Sequence, residues 1–345
     1  MDIGSVIEYL KNYNGEKIKL MEICGTHTAS IMQNAIPSLI NKNIELISGP
    51  GCPVCVTVSD YTDKLIELAL NGNVIVTFGD MIRVPGSKNA LKDIKSSNTD
   101  IRMVYSPMQI TEYAKQEPNK EFIFAAVGFE TTTPVYALLI EELIKQNIKN
   151  VKLLTALKTM PGAVDKICSL GGSIDGFIAP GHVCAVTGSN VFIPLAQKYN
   201  IPFVVSGFEA KEILSSIYAL TKMQGKGEVR NLYKYVVKEE KNQTAYDKVH
   251  KYFEECDASW RGLGTIRNSG LALKNEYAEF DAGSKELIND FSCKNGCICA
   301  KIIIGEKKPD DCPLYSKVCT PEHPCGACMV SGEGTCFNYY ITNEQ

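Results

Sequence analysis

Between residues 44 and 210, short apolar runs alternate with longer amphipathic stretches. Runs rich in β-branched and aromatic residues fall at 44–48, 74–78, 101–105, 122–127, 151–156, 176–179 and 203–206. That composition predicts strands. The stretches 60–70, 135–148 and 210–220 repeat apolar residues at helical spacing, which predicts helices. Strand and helix in regular alternation predict βα units and a mainly parallel sheet.

Four of these strands close in the same way, on Gly with a charged or His residue close behind: VIVTFGD, FIFAAVGFE, GFIAPGH and FVVSGFE. The triplet GFE occurs at 128–130 and again at 207–209, which points to a duplicated α/β unit joined near 135–150. From 225 to 290 the chain is richer in Lys, Glu and Tyr and reads as helix and connecting segments. After Phe291 it breaks into short pieces rich in Cys, Gly and Pro. Such pieces build no core unaided and need a metal or bridges. The expected organisation is an N-terminal segment (1–30) docked on the C-terminal domain, a first α/β domain (31–140), a second (141–225), and a helical and Cys-rich domain (226–345).

Composition narrows the class. The 345 residues are 45% hydrophobic and 22% charged, enough for more than one core. No stretch approaches the roughly 20 apolar residues of a membrane span. The opening MDIGSVIEYLKNYNG lacks the basic start and apolar centre of a secretory signal, so a cytoplasmic location is expected. A net charge of -3 with interspersed Lys and Glu provides no field for nucleic acid.

The 14 cysteines carry most of the chemical information. In a chain of this size without an export signal they suggest metal or thiol chemistry rather than a disulfide framework. Eight of them (Cys293, Cys297, Cys299, Cys312, Cys319, Cys325, Cys328 and Cys336) fall in the final segment. Zinc knuckles favour paired C-x2-C spacing, and in this segment only Cys325 and Cys328 show it. Irregular single cysteines in Pro- and Gly-rich loops suit a 4Fe-4S cluster better, with structural zinc or unligated thiols as the alternatives.

Upstream, GPGCPVC places Cys52 and Cys55 in a C-x-x-C after a strand, the spacing of a redox pair or half a metal site. MEICGTHT brings Cys24 and His27 into one polar stretch, where they can share a soft metal or pair as thiolate and base. Asp80, Glu130 and His182 each follow a strand, the place where open parallel sheets bind ligands. Each alone can equally cap a helix. His250 and His323 lack such company, and no phosphate-binding glycine motif occurs.

MEICGTHT, GPGCPVCV, GFETTTP, PGHVCAVTG, WRGLG and the CTPEHP…GACMVSGEGTC tail, in this order, resemble the HypD family of hydrogenase maturation proteins. The resemblance covers about 21–340. It implies two similar parallel-sheet α/β domains plus a small Cys-rich iron–sulfur domain formed with the N-terminal segment. It also implies a scaffold that assembles the iron centre of NiFe hydrogenases, carrying two cyanides and one carbon monoxide, with a HypC-type small chaperone and a HypE-type cyanide donor as partners.

By matched motif, Cys24 would hold the iron with His27 beside it, and Cys52 and Cys55 would form the redox pair. The family's cluster spacing falls on Cys297, Cys312, Cys319 and Cys336, with Cys299 and Cys328 as a further thiol or disulfide pair. The strand-end placement of Asp80, Glu130 and His182 suggests a shared cleft, in which they would position the incoming cyanide donor or move protons. Cys325 and Ala300 depart from the family pattern, which leaves the ligand set open at that point. A stand-alone cluster-dependent thiol–disulfide reductase is the rival reading.

Overall fold

The computed structural model describes residues 2–95, 98–291 and 296–343. Cys293 therefore lies outside the described residues. Eleven strands are present among them: β1 Ile18–Glu22, β2 Ile44–Ser48, β3 Val74–Thr77, β4 Ile101–Met103, β5 Phe122–Gly128, β6 Val151–Lys158, β7 Gly176–Pro180, β8 Phe203–Ser206, β9 Val229–Asn231, β10 Phe253–Trp260 and β11 Gly264–Leu273. The helices are α1 Ile3–Lys11, α2 Gly25–Gln33, α3 Ser59–Leu70, α4 Gln109–Gln116, α5 Thr133–Lys145, α6 Met160–Ser169, α7 Gly181–Thr187, α8 Ile193–Tyr199, α9 Ala210–Lys222, α10 Gln243–Tyr252, α11 Cys299–Ile303 and α12 Thr335–Asn343.

The strands form two sheets, ordered β2-β1-β7-β8-β9 and β10-β11-β6-β5-β3-β4. All pairings in the first are parallel, and the second is parallel except where β11 joins β6 and pairs with β10. The α/β class with two parallel-dominated sheets and a cysteine-rich segment is thus the architecture of this chain.

The chain does not divide at the expected boundaries. The first sheet takes strands from 18–48 and from 176–231, while β6, inside the expected 141–225 domain, pairs with β5 in the other sheet. Pairing β1 with β7 closes the first sheet across the four strands β3–β6 of the second. The duplication is better placed between the sheets than along the chain, because the first GFE ends β5 and the second follows β8. The stretch expected to be helix and connections also holds an edge strand, β9, and the β10–β11 hairpin.

Both faces of each sheet are covered, which is why the central strands read as continuous apolar runs. Phe122, Phe124 and Ala126 pack on Tyr136, Ile140 and Leu143 of α5, while Ile123 and Ala125 face Tyr61 and Leu65 of α3. In the first sheet Leu20, Ile178 and Val204 pack on Ile213 and Ile217 of α9. Its other face carries Phe177 and Phe203, stacked with centroids 4.6 Å apart and both fully buried. Burying each such ring contributes roughly 2–3 kcal/mol. That face belongs to a core that also takes in Met160, Trp260 and most of the C-terminal cysteines. The carboxyl ends of both sheets therefore open onto the cysteine-rich segment.

Candidate functional site

β1 ends at Glu22, and two residues later Cys24, in extended conformation, starts α2. The Cys24 N–H donates to Glu22 Oε2 at 2.9 Å, and the Thr28 hydroxyl donates to Glu22 Oε1. Burial pushes the Glu22 carboxyl up to about 7 against the pull of those two donors. Burial, followed by the charges of Glu333 and Glu22, pushes the Cys24 thiol up to about 12. Gly25 has no room for a side chain, because a Cβ there would stand 2.3 Å from Glu333 Cβ. The Glu333 carboxylate accepts from the Thr26 hydroxyl at 3.3 Å, and burial raises its pKa, with Asp80 adding to the rise.

His27 is fully buried one turn into α2. Its Nε2 lies 2.9 Å from the Gly207 carbonyl oxygen, which only accepts, so Nε2 carries the proton. Nδ1 is buried without a partner. Burial holds the imidazole down to about 4. The Phe208 ring stacks on both His27 and His182, at 4.6 and 3.9 Å, so the two imidazoles belong to one aromatic group at the ends of β7 and β8. His182 is exposed, and partial burial lowers its pKa.

The loop after β2 carries Cys52 and Cys55, buried and joined to each other as a disulfide. It lies directly on the Cys24 turn: Gly49 N–H donates to Glu22 O at 2.8 Å, and Gly25 N–H donates to Gly51 O at 2.9 Å. Cys55 Sγ lies 3.9 Å from the Ala327 carbonyl oxygen, one residue before Cys328. A small cavity joins Gly25, Gly51, Cys52, Cys55, Cys328 and Glu333.

A second cavity is lined by Cys297, Cys299, Cys312, Cys319, Cys328 and Cys336, closed by Ile302, Tyr315 and Met329. All six cysteines are buried free thiols. Side-chain contacts run in a row through Cys297, Cys299, Cys328 and Cys336. Contact with Cys299, then burial, pushes the Cys297 thiol up, and the charge of Arg261 acts the other way. Burial lifts Cys319 to about 11. Gly326 forms part of the wall, where a Cβ would stand 3.0 Å from Cys297 Sγ. Among the described residues no three His, Cys, Asp or Glu lie close enough to share one metal ion. A dry cradle of soft donors spread over a wall fits a multi-iron cluster, in which each thiolate holds its own iron. Cys325 is half-buried outside that lining, and its N–H donates to Cys319 Sγ at 3.3 Å.

The structure thus brings Cys52, Cys55, Cys328 and the four spacing-matched cysteines into one core, with Cys24 backbone-to-backbone against the loop that carries the first two. Asp80 joins from the second sheet through Glu333. Glu130 sits apart from the thiols: its Oε1 accepts from the Met160 N–H at 2.7 Å and caps α6, while Oε2 is buried without a partner. Its link to the others is Cys184, whose thiol burial raises, with Glu130 and Cys24 both adding to the rise.

Three residues that the sequence reading quoted inside motifs without giving them a role matter here. Glu22 and Glu333 frame Cys24, and Arg261, fully buried, donates through Nε and Nη2 to the Thr57 carbonyl oxygen at 3.2 and 2.8 Å. The acid two residues before the cysteine in MEIC was the available signal for Glu22.

Two mainly parallel sheets interleaved along the chain, with a thiol turn, a disulfide loop and a cysteine-lined cavity, define a cysteine-rich α/β protein. The family profile described as HypD, hydrogenase formation hypA family, matches residues 3–343. The chain is 41% identical over 329 residues to a putative hydrogenase expression/formation protein of Methanocaldococcus jannaschii, covering 94% of this chain and 92% of that one. It is 39% identical over 334 residues to the hydrogenase maturation factor HypD of Rhodobacter capsulatus (94% and 89% covered). It is 37% identical over 340 residues to the HypD of Azotobacter vinelandii (95% and 90%). The chain belongs to the HypD family of hydrogenase maturation factors. Among the described residues no helix is long and apolar enough to cross a membrane.

Proposed function

We propose that this protein is the scaffold and redox component on which the Fe(CN)2CO centre of NiFe hydrogenases is assembled. Cys24 holds the incoming iron together with a HypC-type small chaperone, and a HypE-type partner delivers cyanide. The observation that carries this reading is the contact of the Cys24 turn with the Cys52–Cys55 loop, through Gly25 N–H to Gly51 O at 2.9 Å. It sets a thiolate ligand for the cargo beside a two-electron thiol couple.

Cys297, Cys312, Cys319 and Cys336 are assigned to a resident 4Fe-4S cluster, supported by the cavity they line and by the Gly326 wall. When bound, that group supplies electrons one at a time. The protein's own side chains provide the rest of the route. Cys299 and Cys328 touch the outer pair of proposed ligands, and Cys328 also borders the cavity holding Cys52 and Cys55. Asp80 and Glu333 place carboxylates near Thr26 at the mouth of the Cys24 turn, and His27 fixes α2 to the end of β8.

The test is infrared spectroscopy of the anaerobically purified protein together with its small partner. Cyanide and carbon monoxide stretches present in the wild type and lost in Cys24→Ala are expected. Their absence from the wild-type complex would sink the scaffold. A stand-alone thiol–disulfide reductase remains the second reading, favoured by the bonded Cys52–Cys55 pair beside Cys328. It predicts disulfide reduction unaffected by Cys24→Ala.

A further inference from the structure

Lys158, the last residue of β6, is 4% exposed, and among the described residues neither a hydrogen bond nor an ion pair reaches its ammonium. Burying a charge without a partner is unfavourable, so such groups are normally paired with an acid or with a ligand. Partial compensation comes from the Trp260 ring, whose centroid lies 5.8 Å from Nζ. Burial holds the amine down to about 8, and Cys256 is the neighbouring group whose charge acts on it.

Lys158 lines an open cavity between the β10–β11 hairpin, α3 and the segment around Ser284. Gly270, opposite Lys158 in the register, keeps this end open, since a Cβ there would stand 2.7 Å from Ala258 Cβ and 3.2 Å from Cys256 Sγ. β10 slips register between Cys256 and Ala258 beside it. Such irregularities gather next to binding sites. Hydroxyls of Thr155 and of the Ser259–Thr265 pair, 3.0 Å apart, also line the space, as do Leu271 and Leu273.

We propose that this cavity binds a compact organic monocarboxylate, with Lys158 as its counter-ion. An unpaired ammonium calls for an anion. Lys158 is the buried cation of the lining, Lys285 being exposed, and the carboxylates of Glu254, Asp257, Asp281 and Glu286 around the cavity outnumber the two and repel anything more highly charged than a monoanion. The leucine walls fit a short hydrocarbon body, and the hydroxyls fit a polar substituent on it. The cavity also touches Thr57 and Val58, just after the disulfide loop, but the proposal stands independently of the maturation reading.

Isothermal titration of the full-length protein with acetate, propionate and glycolate, and with inorganic phosphate as the contrasting anion, tests it. The carboxylates are expected to bind, with affinity at least about tenfold weaker in Lys158→Met and phosphate heat absent. Equal affinity in the variant, no carboxylate binding by the wild type, or phosphate binding as tightly as propionate would each overturn the proposal. Should the variant fail to fold, wild-type protein pulsed with an amine-acylating reagent gives the same answer by mass spectrometry. Propionate must protect Lys158 selectively over surface lysines, and unchanged labelling counts against the site.

Discussion

Gly51 lies with its backbone directly against Cys24: a Cβ on Gly51 would stand 2.3 Å from the Cys24 nitrogen and 2.5 Å from its Cα. The disulfide loop and the thiol turn are therefore one packed unit, and the glycine is required by proximity rather than by its φ angle.

Gly51→Ala forces backbone apart from backbone, with no flexible side chain to yield. Overpacking of this kind costs about 1–3 kcal/mol. Thermal unfolding should register that loss, and the Cys24 thiol, now buried, should react faster with a bulky alkylating reagent. An unchanged alkylation rate would mean that the two loops do not constrain each other.

Glu130 is held in the protonated direction by burial, its pKa pushed from the ordinary 4.5 to about 7. The folded state then binds more protons than the unfolded state between those values, so stability falls as pH rises from about 4.5 to 7 and is flat above. Glu130→Gln keeps an acceptor for the Met160 N–H and removes the titration. Relative to wild type, the variant should gain stability across that window, by an amount on the order of 3 kcal/mol at pH 7. Urea unfolding at a series of pH values measures it, and parallel curves for the two proteins would refute it.

Arg261 ties the disulfide loop to the segment entering the cysteine cavity. It donates twice to Thr57 O, its N–H donates to Val56 O at 2.8 Å, and Nη2 lies 3.5 Å from Asp290 Oδ1. Arg261→Met leaves the Thr57 carbonyl oxygen without those two donors and should cost about 2–4 kcal/mol. The Cys52–Cys55 bond should also be reduced faster by a small dithiol. A stability loss without faster reduction would assign Arg261 to packing alone.

Cys319 and Cys325 sit side by side, but only Cys319 lines the cysteine cavity. Cys319→Ser should abolish bound iron and sulfide in anaerobically purified protein, and Cys325→Ser should retain both. The reverse result would redraw the ligand set.

Five of the seven strand runs between 44 and 206 were legible because those central strands are buried on both faces, leaving apolar stretches such as Phe122–Gly128, and the edge strands β2 and β4 were legible from short β-branched runs. β1 escaped notice because its last residue, Glu22, is an acid that serves the Cys24 turn from inside the core. β10 and β11 alternate polar with apolar residues, and the slip at Cys256/Ala258 breaks that alternation, so the hairpin resembled a helical and connecting region. Sheet membership was not readable at all, since the choice of β7 rather than β3 as a neighbour for β1 is made by tertiary packing. At the site, the cysteines and His27 announced themselves by motif. Arg261, quoted only as a letter of WRGLG, and Lys158 announced no role, because what sets them apart is burial: one deep in the core with Nε and Nη2 donating to Thr57, the other without a partner.

The placement of β1 between β2 and β7 has a consequence for the order of events on the ribosome. Translation delivers the Cys24 turn well before one neighbour of its strand, which emerges only with 176–180, and before the disulfide loop's clamp, Arg261, which emerges later still. The strands β3 to β6 can pair while the first sheet still lacks three of its five members. A nascent chain therefore carries the Cys24 thiol unassembled until 176–180 have been made, and the disulfide loop beside it unclamped until Arg261 follows.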